Sequence, residues 1–524
     1  MSAAQVNGKV DKGAEVMHAA DHGIVGDGIT DDGAALNALL SSAATFGLRV
    51  QLTAGSVVRS TVTITPPSGT RLDLNGATLK NAMASSSGRV LTVSGRSNVL
   101  IHNGIIDGDK AGFAGATEQR HNIYIVNSSH ITLRDVVSKN AKGDGIYIGD
   151  DVSGLCTDVV LDRVTCDGNH RQGLSVSAVD GLFGFACRFI NTAGIAPQAG
   201  MDVEPNTDTA IVRRIKMVAC DFRGNATQGL LVSTRATPAV VQDGGEYVGC
   251  SFDGNTNGIL LDNGSSVVVS GGTVKGNTGA GVWLSSATAG FCNDNTFTGV
   301  KIVGNGGKGV LLDQKFNRLA FVGCTILNNT GIGVDALPAA ASVGFVFTGN
   351  VSGNGTGSTT QTHGLRTGAN VSRATMVGNV YPANATASTS RSDDVTTRFQ
   401  SDEARVATSV AADWSGKHTW AASSGSTLIG LRTTGNTVDQ VALRTDGVLT
   451  FSSGVAAQDT QLSRVAAGVL AVGLDDCLRT GRNVTGSRPA ADAAGQGAQF
   501  YDTTLSKPVW SDGTNWRDAA GTVV

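Results

Sequence analysis

The sequence predicts an all-β chain whose largest part is a parallel β-helix, a solenoid in which short strands stack coil upon coil. The first observation is composition: 70 of 524 residues are Gly, while aromatic residues make up 5% and charged residues 16%. Many turns and few bulky side chains suit a solenoid better than a compact globule. The second observation is a strand pattern led by glycine that recurs every 23 to 29 residues. The third is a turn asparagine that precedes most copies of this pattern. Together they predict coils of fixed shape joined by loops of variable length.

The recurring strand has a glycine followed by apolar residues one and three positions later. The glycines are Gly145, Gly173, Gly200, Gly229, Gly258, Gly281, Gly309 and Gly333, and the turn asparagines are Asn140, Asn169, Asn225, Asn255, Asn277, Asn305 and Asn329. We expect the asparagines to bond to one another between coils and the glycines to free the backbone for entry into the strand. A β-sandwich also has short strands at this spacing, but its strands need not share one turn.

Strand alternation assigns the two faces of each copy. The apolar positions point into the solenoid, and the positions two and four after each glycine point outward. The first outward column is Tyr124, Tyr147, Ser175, Asp202, Leu231, Leu260, Trp283 and Leu311, and the second is Val126, Gly149, Ser177, Glu204, Ser233, Asp262, Ser285 and Asp313. The column therefore changes from aromatic and polar to apolar at Asp202.

A helix is predicted before the repeat, from Gly33 to about Thr45, with an acidic first turn at Asp31 and Asp32. The run Gly26–Asp32, this helix, a strand ending near Gly55, and the turn segments Pro67–Gly69 and Leu74–Ala77 resemble the N-terminal cap of right-handed β-helices of the pectate lyase superfamily. This resemblance implies a right-handed solenoid of the kind common in phage tailspikes and polysaccharide-degrading enzymes. It does not fix an activity, because one fold supports many functions.

The end of the chain resembles the C-terminal segments of phage tail proteins, on the motifs Gly486-Ser-Arg-Pro, Gly497-Ala-Gln-Phe-Tyr-Asp-Thr-Thr, Lys507-Pro-Val-Trp and Asp512-Gly-Thr-Asn-Trp. The resemblance implies a virion tail protein and a homotrimer, in which neighbouring copies would cover the apolar outward residues. We predict five regions: an N-terminal region 1–85 with the capping helix and the β-helix entry, the parallel β-helix 86–381, a linker 382–398, a β-rich trimerisation-type module 399–482, and the phage-tail-like segment 483–524.

Composition narrows the possible partners and compartments. The net charge of −3 gives no electrostatic case for nucleic acid, and no apolar run approaches the ~18 residues of a membrane span. No apolar segment near the N-terminus indicates a Sec signal peptide, so an extracellular or virion location is expected by another route. Cys166, Cys187, Cys220, Cys250 and Cys324 share nearly one phase, which predicts an interior column of reduced thiols. No spacing indicates zinc, and we expect neither a metal nor a cofactor.

The candidate chemistry centres on Asp202 and Glu204, two carboxylates on one face of a strand with Cα atoms ~6.6 Å apart. Paired carboxylates can divide into one acid and one base or nucleophile. Residues expected to bind substrate lie on the coils just before this pair: Arg171, Gln172, Tyr147, Tyr124, His170 and Asp144. Arginine can hold a sugar carboxylate, and tyrosine suits the apolar side of a sugar ring. These candidate residues also have purely structural explanations. The carboxyl pair can belong to a solvated face and Arg171 to an ion pair, the two tyrosines can form an aromatic stack, and Asp144 and His170 can be turn residues.

Three functions fit these residues. The first is a phage tailspike-like depolymerase that hydrolyses a bacterial surface polysaccharide with Asp202 and Glu204. The second is a polysaccharide lyase, in which Tyr147 or His170 removes the proton next to a uronate carboxylate that Arg171 or Ca²⁺ neutralises. The third is a tail fibre or adhesin that binds a glycan without cutting it.

Overall fold

The computed structural model describes residues 16–115, 117–149, 154–235, 240–285, 292–355, 358, 360–368, 370–381, 391–393, 427–431, 440–444, 448–452, 460–466, 469–472 and 480–524. The chain divides into two compact units, residues 1–411 and 412–524. The first unit is a parallel β-helix, and the second contains two small, mostly antiparallel sheets.

The first unit begins with short strands and one α-helix. They are β1 Val16–His18, β2 Asp27–Asp31, α1 Gly33–Phe46, β3 Arg49–Gln51, β4 Val57–Ser60, β5 Arg71–Asp73 and β6 Thr78–Asn81, with a 3-10 turn at Ala19–His22. The helix follows its predicted bounds closely and buries Leu36, Leu39 and Leu40. Asp32 stands at its N-terminus, where its carboxylate accepts hydrogen bonds from the backbone amides of Val25 and Gly26. Asp32 therefore ties the preceding loop to the start of the helix from the capping position, and the first turn itself contains no acidic residue.

The coils follow as a long series of strands. In chain order they are β7 Leu91–Ser94, β8 Ser97–Asp107, β9 Ile123–Val126, β10 Ser129–Lys139, β11 Ile146–Ile148, β12 Cys156–Asp162, β13 Thr165–Asp167, β14 Gln172–Val176, β15 Val179–Phe185, β16 Arg188–Ile190, β17 Ala199–Val203, β18 Val212–Val218, β19 Asp221–Arg223, β20 Gln228–Val232, β21 Gly245–Val248, β22 Ser251–Asp253, β23 Asn257–Asp262, β24 Val267–Ser270, β25 Thr273–Lys275, β26 Val282–Ser285, β27 Cys292–Asn293, β28 Thr296–Thr298, β29 Lys301–Val303, β30 Val310–Leu312, β31 Phe316–Val322, β32 Thr325–Leu327, β33 Gly331–Ala336, β34 Ser342–Thr348, β35 Val351–Gly353, β36 Gln361–Thr367, β37 Val371–Ser372, β38 Thr375–Val377 and β39 Arg391–Asp393, with a 3-10 turn at Lys110–Gly112.

Two parallel sheets are built from these strands. Twelve strands form the sheet that carries the candidate chemistry, called the site sheet here: β7, β9, β11, β14, β17, β20, β23, β26, β30, β33, β36 and β39. The other 27 strands of the unit form the larger sheet. Parallel pairing begins at β1 with β3 and continues to β36 with β39. The solenoid therefore starts before residue 86 and extends into the predicted linker, most of which lies outside the described residues.

The predicted inward positions of the site sheet form the core. Each of the following side chains is 0% exposed: Ile146, Ile148, Leu174, Val176, Met201, Val203, Leu230, Val232, Ile259, Leu261, Val282, Leu284, Val310 and Leu312. Burying one such side chain contributes ~1.5–3 kcal/mol. Stacked phenylalanines fill the opposite side of the core, with ring centroids of Phe189 and Phe222 5.2 Å apart and those of Phe222 and Phe252 4.9 Å apart. A single coil cannot bury its own face, so each coil depends on its neighbours.

Five of the turn asparagines bond to one another as predicted, and we call Asn225, Asn255, Asn277, Asn305 and Asn329 the asparagine ladder. Each of the first four donates from Nδ2 to Oδ1 of the next at 3.0, 3.2, 2.8 and 2.8 Å. Asn169 instead accepts from the backbone amide of Ala141. The prediction was wrong for Asn140, which precedes Ala141 in a left-handed conformation with φ of 54° and donates to Asp107.

The strand-leading glycines have a different cause from the one expected. None of them has a positive φ, so conformational freedom is not what they supply. A Cβ on Gly281 would lie 2.6 Å from the Gly309 carbonyl oxygen and 2.8 Å from Asn305 Nδ2. The same clash with the next coil's carbonyl and asparagine recurs at Gly229, Gly258 and Gly309. Glycine is therefore required at these positions because any Cβ would clash with the carbonyl oxygen and the ladder asparagine of the next coil.

The seven cysteines in the described part of the chain are buried and are reduced thiols. Cys187, Cys220 and Cys250 each precede a strand of the larger sheet at the same point of the coil, as the repeat predicts. Cys166 does not share this column, because it pairs in register with Phe189. It occupies the phenylalanine position of an earlier coil instead.

The second unit contains an antiparallel five-stranded sheet and a four-stranded sheet. Their strands are β40 Thr427–Leu431, β41 Val441–Arg444, β42 Leu449–Phe451, β43 Thr460–Ala466, β44 Val469–Val472, β45 Gly481–Asn483, β46 Gln499–Asp502, β47 Lys507–Ser511 and β48 Trp516–Arg517, with a 3-10 turn at Thr485–Ser487 and the short helix α2 Ala491–Ala494. Phe500, Val509 and Trp516 pack with Ala491 as a small core.

Candidate functional site

The site sheet aligns the predicted outward column by strand register. Tyr124 of β9 pairs with Tyr147 of β11, which pairs with Ser175 of β14, and Ser175 pairs with Asp202 of β17. Asp202 pairs in turn with Leu231. The change from polar and aromatic residues to apolar ones therefore falls at β17, where the sequence predicts it.

Asp202 is closed to solvent although it belongs to the outward column. Its side chain is 0% exposed, and the Gln172 amide donates to Oδ2 at 2.6 Å. The other oxygen, Oδ1, is buried without a hydrogen-bond partner. Burial, and then the nearby charge of Glu204, raise the pKa of Asp202 well above its ordinary value of 3.8, against the opposing effects of Gln172 and Arg171. Asp202 therefore keeps its proton at pH values where an ordinary aspartate is charged.

Glu204 is the exposed member of the carboxyl pair. It is the first residue after β17, and its backbone amide donates to the Val176 carbonyl at 2.9 Å, which continues the sheet by one residue. Its side chain is exposed. Of the two carboxyls, Glu204 is the one that a ligand on the outer surface can contact.

Arg171 lies between acidic residues from two earlier coils. Its Nη1 lies 3.4 Å from each oxygen of Asp144, which is 0% exposed, and its Nε lies 3.5 Å from Glu118 Oε2. Burial disfavours the charged guanidinium, but Asp144, Asp202 and Glu118 outweigh it and raise the pKa of Arg171. The guanidinium therefore stays charged. Asp144 holds it on its buried side, and 17% of the Arg171 side-chain surface remains exposed.

The aromatic residues form a stack. The ring centroids of Tyr124 and Tyr147 are 5.2 Å apart, and that of His121 lies 5.8 Å from Tyr124 and 5.1 Å from Tyr147. The Arg89 guanidinium lies 3.4 Å from the Tyr124 ring centroid, so Tyr124 is covered by Arg89 and by the stack. Only 9% of Tyr124 is exposed, and its predicted role as a sugar platform is not supported by this geometry.

Tyr147 is half-buried and leans towards the next coils. Its hydroxyl lies 2.9 Å from Ser177 Oγ. Ser177 also donates to the Gly149 carbonyl. Ser177 therefore links the Tyr147 hydroxyl to the backbone of the sheet.

His170 stands at the turn before β14, close to the loop that follows β16. Burial, followed by the charges of Lys142 and Lys110, lowers its pKa from the ordinary value of 6.5. His170 is therefore neutral at neutral pH, the form in which an imidazole can accept a proton. A Cβ on Gly194 would lie 1.9 Å from His170 Nδ1, so glycine is required for this loop to approach the ring.

The predicted residues lie on adjacent coils in two layers, and the neighbours of the His170 side chain are Lys142, Lys110 and Gly194 rather than the carboxyl pair. Asp202, Gln172, Asp144 and Tyr124 are buried beneath, and Glu204, Arg171, Tyr147 and His170 reach the surface. Sequence reasoning missed Glu118, whose side chain is 53% exposed beside Arg171. Only its position three residues before His121, two coils before Arg171, could have indicated it. It also missed the Ser177 and Arg89 contacts with the two tyrosines. Among the described residues, no group of three or more His, Cys, Asp or Glu side chains is arranged to hold a metal ion.

The apolar part of the outward column ends at a second charged cluster. Leu231, Leu260, Trp283 and Leu311 are half-buried register neighbours. The Trp283 indole donates to Asp313 at 3.0 Å. Beyond them Asp335, 2% exposed, is bound by Lys308 at 2.6 Å and by Arg366 at 2.7 Å. These four apolar residues, called the apolar strip here, thus lie between Asp202 at one end and Asp335 at the other.

Comparison with known proteins identifies the solenoid. Residues 213–354 match the family model described as right handed beta helix region. The chain is a right-handed parallel β-helix, as the sequence predicts. No curated protein matches it. No helix in the described ranges is long and apolar enough to cross a membrane.

Solved structures with the same fold have varied functions. The A-module of mannuronan C-5 epimerase AlgE4 from Azotobacter vinelandii aligns over 72% of this chain and 98% of its own at 15% identity, with a TM-score of 0.49. Tailspike protein 3 of bacteriophage CBA120 aligns over 97% and 70% at 14% identity, with a TM-score of 0.49. The Streptococcus pneumoniae surface adhesin PfbA aligns over 72% and 92% at 14% identity, with a TM-score of 0.47.

Proposed function

We propose that this protein is a depolymerase that hydrolyses a bacterial surface polysaccharide at the outer face of the site sheet, around Glu204. The observation that carries the proposal is the division of the carboxyl pair. Asp202 and Glu204 lie two residues apart, and burial together with Glu204 raises the pKa of Asp202. At pH values between the ordinary pKa of aspartate and the raised pKa of Asp202, the pair offers one protonated acid beside one accessible carboxyl, which is the pairing that glycoside hydrolysis uses.

The two carboxyls have different roles in this proposal. Glu204 contacts the glycan and acts as base or nucleophile. Asp202 holds the proton, and because neither of its oxygens is exposed, it reaches the glycosidic oxygen only after glycan binding displaces the Gln172 amide. Gln172 is a positioning residue, since its 2.6 Å hydrogen bond fixes the Asp202 carboxyl.

Arg171 and Tyr147 supply recognition on the same face. Asp144 contacts the Arg171 guanidinium at Nη1, and an acidic sugar would take the place of the exposed Glu118 on its Nε side. The half-buried Tyr147 ring adds an apolar contact. An acidic polysaccharide is therefore the preferred substrate class.

The location and assembly rest on other residues. We propose a virion tail location on the resemblance of residues 483–524 to phage tail segments. We propose a homotrimer because the half-buried strip Leu231, Leu260, Trp283 and Leu311 would be covered by neighbouring copies. The division of the chain into the five predicted regions remains part of this proposal.

Two other functions are each favoured by one observation. The lowered pKa of His170 favours a lyase, because a neutral imidazole can take the proton next to a uronate carboxylate that Arg171 holds. The complete burial of Asp202 favours a protein that binds the glycan and leaves it intact.

Product chemistry distinguishes the three functions. The protein is incubated with a panel of purified capsular and lipopolysaccharide polymers, and polymer size, new reducing ends and ultraviolet absorbance are recorded. Hydrolysis gives shorter chains with new reducing ends and no new absorbance. A lyase gives shorter chains whose unsaturated uronates absorb ultraviolet light. Binding without any change in polymer size would overturn the proposed hydrolysis and select the adhesin.

A further inference from the structure

A cavity of about 410 Å³ lies at the N-terminal end of the solenoid, away from the site sheet. It is lined by Gly47, Leu48, Arg49, Arg71, Leu100 and His102. The first two follow the end of α1, and the others lie on β3, β5 and β8 of the larger sheet. Ligand pockets commonly have volumes of about 300–1,000 Å³, so this cavity can hold a small molecule or one group of a larger one.

The charges in the cavity are not compensated. Arg49 and Arg71 are register partners on adjacent parallel strands, which puts two cationic side chains on neighbouring strands ~4.8 Å apart. Within the described residues, neither guanidinium has a carboxylate within 4.0 Å. Arg49 Nε is also buried without a hydrogen-bond partner. A bound anion would satisfy the buried Arg49 Nε and neutralise the two adjacent cations.

Other arginines on or beside the larger sheet have carboxylate partners, which the two cavity arginines lack among the described residues. Arg163 is bound to Asp135 at 2.7 Å, and Arg213 is bound to Asp180 at 2.7 Å. The carboxylate nearest along the sheet, Asp73, already accepts hydrogen bonds from Gln51, Asn75 and Asn103. It also lies 3.8 Å from His102 Nδ1. Asp73 is therefore committed to its own neighbours and does not neutralise the arginine pair.

We propose that this cavity binds a phosphate dianion, either free or carried by a phosphorylated sugar. Two guanidiniums match its charge and can each offer a fork of N–H donors to its oxygens. A carboxylate would leave one guanidinium uncompensated. Leu48 and Leu100 form an apolar wall against which the carbon skeleton of a sugar phosphate can pack. The site lies on different strands from Asp202 and Glu204 and does not depend on glycan cleavage.

Calorimetric titration of the full chain with inorganic phosphate, a hexose phosphate and glucuronate tests the proposal. We expect phosphate to bind, and Arg71→Gln and Arg49→Gln each to weaken it at least tenfold. Arg318→Gln removes the same charge from a paired arginine of the larger sheet and should leave phosphate binding unchanged. Tighter binding of the hexose phosphate would identify a phosphorylated sugar as the ligand, and equal binding would identify the phosphate group alone.

Three results would overturn the proposal. These are no phosphate binding by the unsubstituted protein, unchanged binding in both arginine variants, or glucuronate binding as tight as that of phosphate. Arg71 is exposed, so its replacement should not disturb folding. A rise in the thermal midpoint on adding phosphate, absent in Arg71→Gln, gives an independent readout.

Discussion

Replacing Asp202 by Asn should change how the stability of the protein depends on pH. Burial, and then Glu204, raise the pKa of Asp202 in the folded protein above its ordinary value of 3.8. Between these two pKa values the folded protein holds a proton that the unfolded chain has lost. The free energy of unfolding therefore falls as pH rises through this window. Asn has no proton to lose, and its side-chain oxygen can still accept the hydrogen bond that Gln172 donates to Asp202.

The size of the effect follows from linkage. For each pH unit inside the window, the free energy of unfolding of Asp202→Asn should rise by about 1.4 kcal/mol relative to that of the unsubstituted protein. The difference stops growing where pH reaches the folded-state pKa, so the experiment also locates that pKa. Urea unfolding followed by circular dichroism at about pH 5, 6 and 7 supplies the three free energies.

Asp335 provides a matched control of opposite sign. Burial opposes its ionisation, but hydrogen bonds from Arg366 and Lys308 outweigh burial and lower its pKa below 3.8. Its stabilising contribution is present above the unfolded pKa and is lost as pH falls through the folded pKa. Asp335→Asn should therefore lower the free energy of unfolding by about 2 kcal/mol, and the loss should be the same at all three pH values. A pH-independent difference for Asp202→Asn as well would refute a protonated Asp202.

Three further substitutions test the packing around the site and the ladder. Gly281→Ala should cost about 2–3 kcal/mol, because its Cβ would meet the Gly309 carbonyl and Asn305 at 2.6 and 2.8 Å. An unchanged urea midpoint would contradict that steric cause. Asn277→Ala should cost about 3 kcal/mol, since it removes partners of Asn255, Asn305 and Phe252. A loss below about 0.5 kcal/mol would show that the ladder bonds contribute little. Arg171→Gln should cost about 3–5 kcal/mol by leaving Asp144 buried without its cation, and Arg171→Lys should recover part of the loss. Equal thermal midpoints for the two variants would place the role of Arg171 outside the ion pair.

The sequence was sufficient for the coils and for the outward column. Alternation has period two, and a parallel stack with one strand-leading glycine per coil fixes the register, so Tyr147, Ser175 and Asp202 could be aligned from spacing alone. The sequence was not sufficient to predict which side chains of that column are buried. Whether an outward aspartate is exposed depends on which neighbouring side chain lies over it, and the reach of Gln172 to Asp202 has no signature in spacing.

Contacts made by loops and by side chains between coils were also beyond sequence reasoning. Glu118 approaches Arg171 from a loop of variable length, and such loops have no fixed register. The strand-leading glycines were placed correctly, but for the wrong reason. Their need to avoid the carbonyl and asparagine of the next coil appears only when two coils are stacked.

The rate of glycosidic bond cleavage by Glu204→Gln shows whether the Asp202 and Glu204 pair performs the hydrolysis. On a polysaccharide that the unsubstituted protein cuts, the rate should fall by about 10²–10⁴-fold without a change in thermal midpoint, because Glu204 is exposed. Glu246→Gln, a matched change on the larger sheet where Glu246 pairs with Lys216, should leave the rate unchanged. Full cleavage by Glu204→Gln would contradict the account and move the chemistry away from the Asp202 and Glu204 pair.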